Sequence, residues 1–323
     1  MKFPRSGQPP VFRRGLLHIL MTVIGACAAG TSSAADDVVH QLAVLYPDIG
    51  EPYRSVFASI IEGIEARTGG RVLSLPLSGN AASADLINEI RRRDIHAVVT
   101  LGRQGMRMAA SMDKGATLVA AGVLSVPESE AQAFAVHSLA PDPALLFARL
   151  KALAPSVKRV LVVHDPRQNA WLIRLAREAA KASGLDLQVR SAEDLKSAVK
   201  AYQELMAGAN PMHDAIWLPQ DATTVEDGTI LPLLLKEAWA QNLVLFSSNV
   251  GHVRRGALFA LYPNNAELGR TLATAAMAPA SSGTRGIQPL RDVMLAVNTR
   301  TANHLGLNLS ATGLRFQTVF PEP

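Results

Sequence analysis

Short apolar runs rich in Val, Ile and Leu alternate with longer segments of helical periodicity along most of this chain, and that alternation constrains its fold most strongly. The apolar runs have the length of strands, and the segments between them have the length of helices. Strands that alternate with helices are typical of βαβ units, in which helices cover a parallel sheet. The sequence therefore predicts an α/β fold.

The alternating segments fall into two sets on either side of Pro141. The first set predicts strands at 41–46, 71–76, 95–101 and 117–121, with helices at 53–67, 83–93 and 105–112. The second predicts strands at 159–163, 185–189, 215–218 and 244–246, with helices ending at 153 and at 169–183, 195–206 and 230–241. Two sets predict two Rossmann-like lobes with parallel sheets.

The remaining segment, after Asn249, predicts that the chain crosses back from one lobe to the other. It predicts strands at 256–261 and 293–297, helices at 264–278 and 299–305, and a linker at 278–286. We expect the helix at 264–278 to pack on the first lobe. The predicted lobes are residues 36–138 plus about 262–289, and residues 139–261 plus about 290–323.

Residues 1–35 have the order of a secretory signal peptide. Basic residues from Lys2 to Arg14 precede a run at 15–29 without charged side chains, and Ser33-Ala34-Ala35 offers a cleavage site near Ala34 or Ala35. The apolar run is shorter than the roughly 18 residues of a membrane span. We expect export to the periplasm.

The single cysteine, Cys27, leaves a second possibility for the leader. Ile24-Gly25-Ala26-Cys27 is similar to a lipoprotein signal, in which Cys27 becomes the lipid-bearing first residue. The sequence leaves cleavage near Ala34 or Ala35 and a lipid anchor at Cys27 both open.

The charge of the chain argues against a nucleic-acid partner. Four of the 32 basic residues lie in the leader and all 27 acidic residues follow it, so the rest carries a formal net charge of only +1. A nucleic-acid binder would show clustered Lys and Arg on one element.

Motifs of cofactor binding and catalysis are absent from the sequence. There is no Walker loop, no dinucleotide fingerprint, no Gly-x-Ser-x-Gly elbow and no His-Glu-x-x-His helix. The eight histidines are dispersed without metal-ligand spacing. We expect no cofactor, no metal, no catalytic residue and therefore no enzyme.

Ligands of parallel α/β sheets gather outside the carboxyl ends of the strands, so polar residues there are the candidates for a binding site. The predicted ligand-binding residues are Glu51, Arg103, Gln104, Asp165, Asn169, Asp221, Asn249 and Tyr262. Asp165 before Pro166 also fits a turn, and Asp221 also fits a helix cap.

Arg103 is the most informative candidate because a cation at a helix N-terminus opposes the helix dipole and needs a partner. That partner is either a ligand carboxylate or an internal pair with Asp48 or Glu51. If the ligand is a carboxylate such as an amino acid, Asp221 or Asp165 is available for its amine.

Several segments of the chain share their order and spacing with one known family. They are Val157 to Pro166, Asp214 to Asp221, Arg255 to Leu258, Tyr262, Glu267-Leu268-Gly269, Ala296 to Thr299, Thr301-Ala302 and Leu305-Gly306-Leu307. Together they resemble the ABC-transporter substrate-binding proteins of the type I periplasmic-binding fold, the group that includes tryptophan- and phenylalanine-binding members. The resemblance covers nearly all of the chain after the leader.

The resemblance implies a monomer that holds a small molecule between two hinged lobes and docks on an ABC permease in the inner membrane. Two motifs depart from the family: its usual Gly-Thr pair is Gly102-Arg103-Gln104 here, and its typical Asp-Asn is Asp221-Ala222. The resemblance therefore implies no particular ligand. Two alternatives stay open, namely a ligand sensor that reports to a membrane protein and, more remotely, an α/β hydrolase.

Overall fold

The structure is a computed structural model that describes residues 41–78, 83–112, 115–124, 126–279 and 285–322. All of these residues belong to one compact unit, Val38–Pro323. The predicted leader, its cleavage site and Cys27 lie outside the described residues. No described helix is long and apolar enough to span a membrane.

Thirteen strands and ten α-helices follow one another in the described residues. The strands are β1 Leu42–Pro47, β2 Val72–Leu77, β3 Ala97–Leu101, β4 Thr117–Val123, β5 Ala135–Pro141, β6 Arg159–His164, β7 Asp186–Ser191, β8 Asp214–Leu218, β9 Val244–Ser247, β10 Phe259–Pro263, β11 Gly286–Leu290, β12 Val293–Asn298 and β13 Thr318–Phe320. The helices are α1 Tyr53–Thr68, α2 Ser83–Arg92, α3 Gly102–Ala109, α4 Pro143–Leu153, α5 Pro166–Ala182, α6 Leu195–Ala207, α7 Ile230–Ala240, α8 Val250–Arg255, α9 Asn265–Met277 and α10 Thr299–His304.

The strands form two sheets, and the predicted fold class is confirmed. The first sheet has the order β11-β5-β4-β3-β1-β2, with every neighbouring pair parallel. The second has the order β13-β12-β10-β9-β8-β6-β7, in which only β10 and β12 pair antiparallel. Each sheet with its helices is an α/β lobe.

Several elements were not predicted from the sequence. They are β5, β11, β13 and α8. In β5 a buried serine, Ser138, interrupts the apolar pattern, and β11 contains Gly286 and Pro289. Both β11 and β13 are edge strands, where short and irregular sequences are tolerated.

The helix α9 packs against α1 on the first sheet, as the sequence predicts. Two glycines allow the contact, because a Cβ atom on Gly63 would lie 2.0 Å from the carbonyl oxygen of Ala266. A Cβ atom on Gly269 would lie 2.1 Å from that of Ile60. The two helix backbones therefore touch directly.

The second lobe has an aromatic core around β8. Trp217 is fully buried and meets Phe147 of α4 edge-on, with the ring centroids 5.8 Å apart. Phe246 of β9 stacks on Phe259 of β10 at 5.1 Å. Aromatic pairs of this kind add stabilisation beyond the area they bury, which fixes the three central strands.

The chain crosses between the sheets three times, near Asp142, Asn264 and Arg291–Asp292. The crossings are bonded to one another: Asp142 N donates to Leu290 O at 2.9 Å, and Asn264 N donates to Asp292 O at 2.8 Å. Arg291 Nε also donates to Asp142 Oδ2 at 2.9 Å. The three crossings form the hinge, while the exact lobe boundaries stay a prediction.

Candidate functional site

The predicted ligand-binding residues lie mainly at the carboxyl ends of neighbouring strands. In the second lobe, Asp165 and Asn169 follow β6, Asp221 follows β8 and Asn249 follows β9. In the first lobe, Glu51 follows β1, while Arg103 and Gln104 follow its neighbour β3. The sheet topology thus places one cluster of polar side chains on each lobe.

The Asp221 carboxylate joins the end of β8 to the start of α5. Its Oδ2 accepts from Asp165 N at 2.7 Å and from Asn169 Nδ2 at 2.9 Å. Its Oδ1 accepts from the backbone N–H groups of Thr223 and Thr224, each at 3.0 Å. These four bonds use its acceptor capacity. A ligand contact with Asp221 would require breaking one of them.

Asp165 is fully buried and caps the N-terminus of α5. Its Oδ1 accepts from Arg167 N at 2.9 Å, and its Oδ2 accepts from Arg167 Nη2 at 2.7 Å and from Thr223 Oγ1 at 3.0 Å. The hydrogen bond from the Arg167 side chain, assisted by the backbone and Thr223 bonds, holds the pKa of Asp165 at about 2. This carboxylate is therefore ionised and internally satisfied.

Two amide oxygens beside these carboxylates have no hydrogen-bond partner among the described residues. Asn169 Nδ2 donates to Gln220 O and Asp221 Oδ2, and Gln220 Nε2 donates to Ser248 O at 2.8 Å. Because both nitrogens face acceptors, both amide orientations are fixed, and Asn169 Oδ1 and Gln220 Oε1 are left buried without a donor. Buried acceptors without partners are rare in folded proteins. Sequence reasoning missed Gln220 because its neighbour Asp221 carried the stronger signal.

His164, the last residue of β6, adds a neutral ring to the same edge. Its Nδ1 is buried without a partner. Burial lowers the pKa of His164 against the opposing effect of the Asp221 charge. The second lobe thus presents uncharged polar atoms next to carboxylates that are already paired.

Tyr262 lies at the carboxyl end of β10, the neighbour of β9 in the second sheet. Its hydroxyl forms a 2.7 Å hydrogen bond with Thr318 Oγ1 on β13, two strands away from β10 on the side opposite β8. Its place in the ligand site stays a prediction.

Asn249 begins α8 and lies beside an arrangement that the sequence did not predict. Its Oδ1 accepts from Gly251 N at 2.8 Å. Ser247 Oγ lies 2.7 Å from His252 Nδ1, and His252 Nε2 lies 3.3 Å from Asp227 Oδ1.

This serine, histidine and aspartate have the order of a nucleophile, a base and an orienting carboxylate. Ser247, however, has 0% exposure, and its Oγ accepts from Asn249 N at 3.0 Å. A nucleophile must reach its substrate, so this cluster serves to hold α8 against β9.

In the first lobe, Glu51 accepts from Ser55 Oγ at 2.6 Å near the start of α1. Arg103 and Gln104 are exposed in the first turn of α3, which begins three residues earlier than predicted. The two partners considered for Arg103, a ligand carboxylate and an internal pair with Asp48 or Glu51, both stay predictions.

Among the residues the structure describes, no group of three or more His, Cys, Asp or Glu side chains could hold a metal ion.

Three solved structures share this fold. A ligand-free, open substrate binding protein with adhesive properties from Clostridium difficile has a TM-score of 0.62 and 13% identity, covering 86% of this chain and 99% of its own. An ABC domain in complex with L-Trp from Streptococcus pneumonia has a TM-score of 0.52 and 14% identity, covering 86% and 100%. A conserved domain protein from Vibrio cholerae has a TM-score of 0.52 and 17% identity, covering 87% and 99%.

No curated protein sequence matches the chain significantly. The family described as ABC transporter substrate binding protein matches residues 147–312, just over half of the chain. This match spans most of the second lobe, including Asp165, Asn169 and Asp221. The chain belongs to the family of ABC transporter substrate binding proteins.

Proposed function

We propose that this protein is an exported solute-binding protein that captures an amino acid or a similar amino-carboxylate between its lobes and delivers it to an ABC importer. Family membership supports solute binding and an ABC transporter as the partner. It favours delivery over the sensor role, and the burial of Ser247 gives the hydrolase alternative no support.

The observation that carries the ligand class is the pair of unpartnered amide oxygens, Asn169 Oδ1 and Gln220 Oε1. Both oxygens are buried in this structure, so the proposed contact forms only where the two side chains become accessible to the ligand. Both accept hydrogen bonds and neither can donate, so the complementary ligand group is a donor such as an ammonium. A buried acceptor without a donor raises the free energy of the folded protein, and a ligand that donates a hydrogen bond to it removes that penalty. These oxygens replace Asp165 and Asp221 as the proposed amine contacts.

Arg103 on the first lobe supplies the complementary charge. Its exposed side chain leaves the first turn of α3, where free backbone N–H groups and the helix dipole also favour an anion. A ligand carboxylate would pair with the Arg103 guanidinium and accept hydrogen bonds from these N–H groups. Gln104, Glu51 and Asn249 are proposed to contact the ligand from the same strand ends.

The first experiment identifies the ligand. Native mass spectrometry of the protein purified from the host's exported fraction should show a bound amino acid or amino-carboxylate. A bound neutral sugar or a purely anionic molecule would contradict the proposed class.

A cycle of two variants and two analogues then tests each contact. Gln220→Met should weaken binding of the amino ligand about tenfold or more, while its effect on the analogue without the amine should be small. Arg103→Gln should weaken binding of the carboxylate ligand about tenfold or more, with little effect on binding of the analogue whose carboxylate is a neutral amide. Glu62→Gln, at an exposed carboxylate of α1, is the control.

Equal losses for both analogues in either variant would remove that residue from the ligand site. Isothermal titration calorimetry measures the affinities, and the melting temperature without ligand separates binding from folding.

We also propose that the protein resides in the periplasm. Cleavage near Ala34 or Ala35 predicts a mature N-terminus at the next residue, whereas lipidation predicts an acylated Cys27. The intact mass of the mature protein distinguishes the two, and Cys27→Ala changes it only if the lipid is attached.

A further inference from the structure

A cavity of about 430 Å³ lies at the hinge, beside the crossings near Asp142 and at Arg291–Asp292. Asp142, Arg291 and Asp292 of the crossings line it. Leu175 of α5 contributes from the second lobe, and Thr271 of α9 contributes from the first. None of the eight residues predicted for the cleft lines this cavity. It is therefore separate from the proposed ligand site.

The polar side chains around the cavity are largely unpaired. Within the described ranges, His137, Thr271, Gln288 and Asp292 have no side-chain hydrogen-bond or ion-pair partner, although all four line the cavity. Arg291 uses only its Nε, which donates to Asp142 Oδ2 at 2.9 Å. Hydroxyl, amide, imidazole and carboxylate groups therefore converge on one space without satisfying one another.

The charges of the lining leave one carboxylate uncompensated. Arg291 pairs with Asp142, whose Oδ1 accepts from Ala144 N at 2.9 Å. Burial lowers the pKa of His137, so its ring is neutral at neutral pH despite the nearby Asp292 charge. Asp292 is partly buried and has no cation paired with it in the described part of the chain. A cavity with one excess negative charge selects a cation over a neutral or anionic molecule.

We propose that the hinge cavity is a second binding site, which takes a small organic amine whose ammonium pairs with Asp292. Hydroxyl or carbonyl groups of the same molecule pair with Thr271, Gln288 and His137. Because one wall belongs to α5 and another to α9, a molecule that contacts both fits one angle between the lobes better than others. Its binding is thereby coupled to lobe closure.

The test uses two probes of nearly identical shape, Tris and pentaerythritol, which differ in one ammonium replaced by a hydroxymethyl group. The purified protein in an amine-free buffer at neutral pH is titrated and followed by ¹⁵N chemical shifts. Tris should produce saturable shifts at the amides of Thr271, Gln288 and Asp292, and pentaerythritol should not.

Asp292→Asn should weaken Tris binding about tenfold or more because it removes the charge while keeping the shape. Its backbone carbonyl still accepts from Asn264 N, so the crossing is retained. Glu62→Gln, at an exposed carboxylate of α1, makes the same charge change elsewhere and should leave binding unchanged. Equal shifts with both probes, or full Tris affinity in Asp292→Asn, would overturn the proposal.

The coupling to closure has its own readout. Cys27 is the only cysteine, so in a Cys27→Ala background spin labels at Glu65→Cys on α1 and Glu204→Cys on α6 report the distance between the lobes. Tris should narrow this distance distribution and pentaerythritol should not. An unchanged distribution at saturating Tris would refute the coupling.

Discussion

At the scale of single residues, buried carboxylates in this protein organise loops. Asp221 receives four donors from its own loop and from the start of α5, and Asp165 caps a helix while it accepts from Arg167 and Thr223. These bonds fix the backbone of the strand ends before any ligand arrives. Preorganisation of this kind lowers the entropy that binding must overcome.

Replacement of Asp221 by Asn tests this role. The side-chain amide keeps the shape, but its NH₂ group faces donors, so buried N–H groups lose their acceptor. We expect the free energy of unfolding to fall by about 1–3 kcal/mol for this reason. Urea unfolding measures the change, and the exposed Asp48→Asn should stay within about 0.5 kcal/mol of the wild type. A stability equal to wild type would mean that Asp221 is dispensable for folding.

The residues of the site were predictable by position but not by role. Asp165, Asn169 and Asp221 follow apolar runs, and that pattern placed them at strand ends correctly. Whether a carboxylate is free depends on donors that are distant in sequence, such as Thr223 for Asp165. The orphaned oxygen of Gln220 depends on the carbonyl of Ser248, 28 residues away, and no local pattern reports such a contact.

Buried histidines predict how stability changes with pH. Burial lowers the pKa values of His137, His164 and His252 below their ordinary value. Below about pH 6.5 the unfolded chain therefore binds protons that the folded chain does not, so stability is full above that pH and is lost as the pH falls. Asp165 keeps its contribution across this range because its pKa is about 2.

We expect the free energy of unfolding to decrease between about pH 7 and pH 5, as measured by urea unfolding at several pH values. His164→Gln should reduce the slope, because it removes one of the rings whose pKa burial lowers. A flat profile over this range would contradict the burial of these rings.

At the scale of elements, α1 and α9 show how a distant segment completes the first lobe. The periodicity of α9 predicted a helix, and its apolar residues Leu268 and Leu272 join the core of the first sheet. Edge strands were harder to predict, because β11 carries Gly286 and Pro289 and pairs only on one side. Central strands are apolar on both faces, so their sequences predict strands clearly, whereas the sequences of edge strands do not.

Gly269→Ala should destabilise the protein by about 1–3 kcal/mol, since the new Cβ would overlap the Ile60 carbonyl and push the helices apart. This cost outweighs the roughly 1 kcal/mol that alanine gains over glycine in a helix. Gly208→Ala is the matched control, because its Cβ would meet no atom closer than 3.9 Å. Thermal unfolding compares them, and equal melting temperatures would show that α1 and α9 do not pack closely.

At the scale of the whole molecule, the three bonded crossings join the lobes, and Ile287 of β11 also packs against the apolar core of the second lobe. One ion pair outside the crossings joins them in the described residues: Arg174 of α5 pairs with Glu128, which follows β4. Both side chains are largely exposed, and exposed pairs contribute about 0–1 kcal/mol. This ion pair therefore does not by itself fix the angle between the lobes.

We therefore expect the protein to close on its cleft ligand, which should appear as a smaller radius of gyration in small-angle X-ray scattering. Ligand contacts on both lobes, from Arg103 on one side and Asn169 with Gln220 on the other, can form together only when the cleft is narrow.

Arg174→Gln should broaden the distribution of ligand-free conformations while leaving the compact liganded form unchanged, because the exposed pair is too weak to compete with binding. The matched Arg190→Gln, on β7 and without a partner across the lobes, should alter neither form. A radius of gyration that stays constant with a ligand that raises the melting temperature would show that the lobes do not hinge.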